Sequence, residues 1–290
     1  MIWNLGSINV DNFYYLSHLP VAGETLAADR FHQGLGGKGA NMSVAAARAA
    51  AHVAHIGAVG QDGIWAKDRL LEYAVDTRHI AVVSEPTGHA NINVDASGEN
   101  NIVLYRGANH RVSEQMIGAA LSEASPEDFL LIQNEASGQA YAAETARTLG
   151  LIVAYAAAPF SAEAVKAVLG KVQLLILNQV EADQLQEALA QDLNALDVDD
   201  IVVTQGAKGC QWVSNRLETV QDFSAYAVEP VDTTGAGDTF TGYLVAGLDR
   251  GLPMAEAIDL GMRAGALMIT REGTADVIPD LKEIRDHDFT

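Results

Sequence analysis

The sequence predicts a three-layer, doubly wound α/β fold: a mostly parallel sheet with helices on both faces and a small β-sheet lid at its side. Three observations carry that expectation. First, "DFLLIQ" (128–133), "LIVAYAAA" (151–158), "VQLLILN" (172–178) and "DIVVTQG" (200–206) are near-continuous apolar runs, which is how strands buried on both faces read. Second, helical segments stand between them. Third, two segments, about 11–33 and 87–106, alternate polar and apolar residues like strands exposed on one face. The architecture is Rossmann-like, and the chain reads as one domain over 1–290 with those two segments supplying the lid.

In chain order, "IWNLGSINV" (2–10) reads as a strand ending in small and polar residues. "PVAGETLAADRFHQG" (20–34) suggests short strands leaving the main core. "GANMSVAAARAA" (39–50) is a helix whose small residues suit close packing. "HVAHIGAVG" (52–60) returns to strand, and "GIWAKDRLLEYAV" (63–75) to helix. "TGHANINVDASGENNIVLYR" (87–106) reads as a hairpin around "DASGEN". Later helices are expected at 161–170, 179–190, 235–251 and 254–273. In 235–251, Phe240, Tyr243, Leu244 and Leu248 fall on one face, and Gly251 with Pro253 ends the helix.

Bulk properties narrow the function classes. The 290 residues are 49% hydrophobic and 19% charged, with a net charge of −20. That balance suits a globular chain with a large core. It excludes a general nucleic-acid binder, which needs a basic footprint. It would also repel an anionic ligand on average, so a phosphate site must be built locally from backbone N–H groups and a few cations. Cys210 is the only cysteine, which rules out an internal disulfide. The N-terminus lacks a signal-peptide pattern, and no apolar run approaches the ~20 residues of a membrane span. The chain is expected to be soluble and cytoplasmic.

Ligands of doubly wound sheets bind beyond the carboxyl ends of the strands, and the informative polar groups follow strand signals. In "VDTTGAGDTF" (231–240), Gly235, Ala236 and Gly237 precede Asp238 at a helix start. Small residues let an anion reach the N–H groups there, where the helix dipole also favours negative charge. A carboxylate beside them can take a proton. Asp232 could hold the loop or a cation.

In "NQVE", Asn178 and Glu181 sit three residues apart; they suit either Mg²⁺ held through water or a helix cap. "TQGAKG" (204–209), with Thr204, Gly206 and Gly209, suits a nucleotide-phosphate loop or a hairpin turn. "GLGGKGANMS" (34–43) resembles a phosphate loop but lacks the P-loop spacing. Asn9, Asp11, Lys38, Asn41 and Glu135 are polar groups suited to a polyhydroxylated ligand, or singly to turns and caps. His32, His52, His55, His79, His89 and His110 fit no metal spacing and read as surface or lid residues.

Together these segments resemble the ribokinase family of carbohydrate kinases, also called the PfkB family. The resemblance rests on "GSINVD" (6–11), "PVAGET" (20–25), "GGKGAN" (36–41), "NIVLYRGAN" (101–109), "NQVE" (178–181), "TQGAKG" (204–209), "DTTGAGDTF" (232–240) and "TREGTADVIP" (270–279). They fall in the family's order and cover essentially the whole chain.

The resemblance implies a ribokinase-like fold whose lid often makes a dimer contact, and transfer of the ATP γ-phosphate to a sugar hydroxyl. It implies Asp238 as catalytic base in contact with the sugar, with Gly235, Ala236 and Gly237 as anion hole and Gly237 on ATP. Asn178 and Glu181 match the Mg²⁺–phosphate motif, and Thr204, Gly206 and Gly209 the nucleotide loop. Asn9, Asp11, Gly37, Lys38, Asn41 and Glu135 match sugar-binding positions, a set pointing to ribose or a related pentose. A nucleoside such as pseudouridine, a ketohexose, or a catalytically silent sugar-binding relative are the alternatives. Asp232 and the C-terminal loop are implied as a monovalent-cation (K⁺) site, but Val277 stands where ribokinases commonly place serine. Leu35 and Met42 likewise replace the proline and glutamine usual around GGKGAN.

Overall fold

The computed structural model describes residues 1–289. In chain order its elements begin β1 (Ile2–Leu5), β2 (Asn9–Tyr15), β3 (Arg30–Gly36), α1 (Lys38–Arg48), β4 (Val53–Gly60), α2 (Ile64–Glu72) and β5 (Ile80–Val83). β6 (Gly88–Val94), β7 (Asn100–Tyr105), α3 (Glu114–Leu121), β8 (Phe129–Ile132), α4 (Gln139–Leu149), β9 (Ile152–Ala156) and α5 (Ala162–Val168) follow. The chain closes with β10 (Leu174–Asn178), α6 (Gln179–Leu189), β11 (Asp200–Thr204), β12 (Cys210–Ser214), β13 (Thr219–Phe223), α7 (Ala236–Asp249), α8 (Met254–Met268) and α9 (Leu281–Asp286).

Nine strands form the main sheet in the order β13-β12-β11-β10-β9-β8-β1-β4-β5. All neighbours are parallel except β11–β12 and β12–β13. Side-chain alternation explains the unbroken apolar runs. Leu131, Leu174 and Ile176 point into a core under α1, α2, α7, α8 and α9, while Leu130, Ile132, Leu175 and Leu177 point into a second core under α3 to α6. With both faces covered, these runs stay apolar at successive positions.

The four-stranded lid has the order β3-β2-β6-β7, with β2 and β6 parallel and the outer pairs antiparallel. Its inner strands place Ala90 and Ile92 inward, whereas every residue of β7 is exposed.

Several boundaries differ from expectation. The run 2–10 is two strands: Gly6, Ser7 and Ile8 lie between β1 in the main sheet and β2 in the lid. Residues 20–29 form no strand; the lid resumes only at Arg30. "TQGAKG" takes the hairpin-turn form that its sequence allowed, joining the antiparallel pair β11 and β12. The last predicted helix stops at Met268 rather than reaching Gly273.

Packing of α1 on α7 brings the two ends of the chain together. A Cβ on Gly242 would stand 2.5 Å from the Ala45 Cβ, so only glycine lets the helices approach this closely. α7 is buried from Asp238 to Gly247, well beyond the single stripe Phe240, Tyr243, Leu244 and Leu248 expected from its sequence.

Candidate active site

The site forms where the β1–β2 connection, the start of α1, the end of β8 and the start of α7 meet. Its foundation is a close backbone crossing: a Cβ on Gly39 would stand 2.4 Å from the Gly6 Cα. A buried polar cluster pins this crossing. The Asn4 amide donates to the Gly39 carbonyl (2.7 Å) and to Ser43 Oγ (2.8 Å). His55 Nδ1 pairs with Ser43 Oγ, and its Nε2 with the Gly6 carbonyl. His55 is therefore a core residue, not the surface or lid residue its sequence context suggested; burial pushes it down to about 4, so it stays neutral.

Gly37 begins α1 with φ 92, a left-handed backbone in which a side chain is strained. From that turn the Lys38 N–H donates to Glu135 Oε2 (3.1 Å), and the Gly39 N–H to Ser7 Oγ (3.3 Å). Ser7 in turn donates to Glu135. Gly36 serves a neighbour: a Cβ there would overlap the Asp11 carboxylate at 1.9 Å. Asn9, Asp11, Gly37, Lys38, Asn41 and Glu135 are thus gathered in one place. Ser7 and Asn109, which hold Glu135 and Asn9, were not singled out from sequence. Both lie in quoted segments, but their partners are 128 and 100 residues away in the chain.

Asp238 is 6% exposed in the first turn of α7. It accepts from Asn41 Nδ2 at 2.9 Å, and Lys38 Nζ lies 3.9 Å from its other oxygen. Burial raises its pKa, and the Lys38 ammonium and the Asn41 bond oppose that rise. The Asp238 charge in turn raises Lys38. Asp11 is pushed up to about 7, by burial first and then by the charges of Glu135 and Asp238. Lys38 is the cation beside Asp238, whereas Asp11 feels only its carboxylate neighbours, and this crowding favours taking up a proton. Asn41 Oδ1 is buried and has no hydrogen-bond partner, the mark of an atom that a ligand completes.

The α7 terminus faces this cluster. Gly235 enters it at φ 76, with no side-chain cap. Among the described residues, the N–H groups of Gly235, Gly237 and Asp238 donate to no protein group. That of Ala236 instead turns back to the Thr233 carbonyl (3.3 Å). Gly237 is exposed with nothing within 4 Å of where its Cβ would be, so an anion has free access.

Asn178 and Glu181 form a reciprocal capping box: each side chain accepts from the other's backbone N–H at 2.9 Å. The cap alternative is the one the geometry realises. Glu181 is nonetheless half-buried, its pKa raised first by burial, and it feels the charges of Lys38 and Asp238. Register puts Asn178 directly beside Thr204. Gly206 is exposed at φ 58, whereas a Cβ on Gly209 would strike the Phe223 carbonyl at 1.8 Å; Gly209 is buried in the hairpin.

Asp232 joins two loops, accepting from the N–H groups of Thr234 (2.9 Å) and Gly273 (3.2 Å). Val277 packs against the core. Among the described residues no group of three or more His, Cys, Asp or Glu assembles as a metal site.

A helix terminus open to an anion, beside a buried carboxylate and a polar cluster under a lid, defines a kinase of a small hydroxylated acceptor. Comparison with known proteins gives the same class. Residues 2–281 match the pfkB family of carbohydrate kinases. The chain is similar to a ribokinase of Haemophilus influenzae (35% identity, covering 96% of this chain and 95% of the relative). It is also similar to a deoxyribokinase of Salmonella typhi (29% identity, 98% and 97%). Among solved structures, a ribokinase of Arabidopsis thaliana complexed with ribose and ATP superposes with a TM-score of 0.84 (26% identity, 98% and 97%). The chain belongs to the pfkB family and is an ATP-dependent carbohydrate kinase.

Proposed function

We propose that the chain phosphorylates a hydroxyl of ribose or a related pentose, with Asp238 as general base. The carrying observation is the Asn41–Asp238 pair: Asn41 holds the carboxylate through Nδ2 and leaves its buried oxygen unpaired. A sugar hydroxyl placed there donates to one of these two groups and loses its proton to Asp238. Its oxygen attacks the γ-phosphorus as the bond to ADP breaks. The open N–H groups of Gly235 and Gly237 would face the transferring phosphate, and the Lys38 ammonium favours the charged form of Asp238 against the burial that raises its pKa. Such transfer depends on positioning and charge stabilisation.

Mg²⁺ arriving with the nucleotide neutralises phosphate charge; Asn178 and Glu181 would hold it through its waters, which suits an ion that dehydrates reluctantly. The donor set fits an ion carried in by phosphates, not a dedicated cage. Thr204 and Gly206 extend this edge toward the nucleotide, and Gly209 shapes their turn. Asp232 is committed to its two loops, so K⁺ is an arm of the assay. A cytoplasmic setting and a homodimer through the lid belong to the same proposal. The exposed Ile102, Val103, Leu104 and Tyr105 of edge strand β7 support the dimer.

The test is ADP release from Mg-ATP against ribose, 2-deoxyribose, other pentoses, ketohexoses and nucleosides, with and without K⁺. One pentose should dominate. A positioned base is worth about 10²–10⁴ in rate, so Asp238→Asn should lose at least 10²-fold. Retention of more than about a tenth of the activity would remove Asp238 from that role. Silence across the panel with pentoses still raising Tm would favour a sugar-binding protein.

A further inference from the structure

The structure assigns Asn109 a positioning role: it fixes Asn9 as a hydrogen-bond donor toward the sugar, so the hydroxyl oxygen facing Asn9 must accept. This inference rests on the sugar-kinase reading above. Asn109 is 2% exposed in the turn after β7. The Ile8 backbone N–H lies 2.9 Å from one end of its amide. A backbone N–H can only donate, so that end is the oxygen. The other end is then the NH₂ group, which donates at 2.8 Å to Asn9; Asn9 must receive it with its own oxygen. Its Nδ2 is left over, and no described group accepts from it.

Asn9 lines a narrow cavity with Asn109, Glu135 and Leu104, which is where that NH₂ can reach a ligand. The orientation is rigid. A Cβ on Gly88 would stand 2.2 Å from the Asn109 NH₂ and 2.6 Å from the Asn9 oxygen, so glycine alone admits the pair. The Asn109 carbonyl is itself held by the Ser137 N–H at 3.0 Å. Asn41 is set the opposite way, its nitrogen on Asp238 and its oxygen free. The site thus presents one fixed donor and one fixed acceptor. A hydroxylated ligand bound in one pose satisfies both, with the hydroxyl at Asn9 accepting and the hydroxyl at Asn41 donating.

Asn109→Asp tests this. The aspartate keeps the shape and still accepts from Ile8, but its second oxygen cannot donate, so Asn9 must turn and present oxygen to the sugar. Asn109→Ala removes the clamp and leaves Asn9 free to follow the ligand. In the full chain, the sugar KM should rise about tenfold or more in Asn109→Asp and about two- to fivefold in Asn109→Ala, with the ATP KM unchanged. A purely structural residue gives the reverse order, because alanine leaves a cavity and strips the Ile8 N–H of its acceptor. That order, or an unchanged sugar KM, overturns the inference while wild-type turnover leaves the function standing. If Asn109→Asp does not fold, Asn109→Ala alone decides: an unchanged sugar KM, or an equal rise in both KM values, overturns the clamp. A wild-type chain that neither phosphorylates a pentose nor gains Tm from one overturns the function, and this inference with it.

Discussion

At the scale of single residues, the chemistry is concentrated in buried carboxyl groups that crowd one another. Asp11 shows what that costs. A carboxyl group whose pKa is raised on folding holds its proton more tightly in the folded chain. Its contribution is fully present below about pH 4 and is lost as pH rises through about 7. Asp11→Asn has no charge to bury, so it should be more stable than wild type at pH 8, by on the order of 1–4 kcal/mol. Near pH 4 the two should be close. Thermal melts at both values check this; an equal difference at both would show that Asp11 carries no shifted proton. The residues of the cluster were legible because they stand in distinctive motifs. Asn109 and Ser7 were less so, since what defines them is a partner on a remote segment. His55 was misread because a histidine in a strand gives no sign of what lies beneath it.

At the scale of elements, the apolar runs gave β8 to β11 plainly, since burial on both faces leaves one reading. β12 and β13 carry no clear strand signal, being mixed in pattern, with β13 largely exposed. α3 and α4 are similarly faint, α4 being an alanine-rich helix with a narrow buried stripe of Ala142, Ala143 and Ala146. The split of 2–10 was hidden because Gly6 and Ser7 read as strand residues, although they carry the chain from sheet to lid. α6 provides a discriminating experiment. Glu181→Gln keeps the capping box and removes the charge, whereas Asn178→Ala breaks the box. If Glu181 works on the metal, Glu181→Gln should leave Tm within about 1 °C and raise the Mg²⁺ needed for half-maximal activity. Asn178→Ala should lower stability by about 1 kcal/mol. Unchanged Mg²⁺ dependence in Glu181→Gln would reduce the pair to a helix cap.

At the scale of the whole molecule, a concavity of about 490 Å³ between α8 and α9 lies away from the chemistry. The cavity reached by Asn9 and Glu135 is about 30 Å³ and is bordered by Leu104 of the lid strand β7. The lid touches the far loop through Tyr15 and Arg30 on Glu272, exposed contacts worth little, and through the buried Thr274 hydroxyl, which donates to the Leu35 carbonyl at 2.9 Å. Light scattering should find a dimer, and Ile102→Asp on exposed β7 should shift it toward monomer; a wild-type monomer would dismiss the lid interface. The Asn41–Asp238 bond spans 197 residues, and this has a consequence for synthesis. At ~5–20 residues per second, Asn41 leaves the ribosome roughly 10–40 s before Asp238. Until α7 arrives, α1 lacks the helix that Gly242 seats against Ala45, and a truncated chain would hold Asn41 without the carboxylate it pairs with.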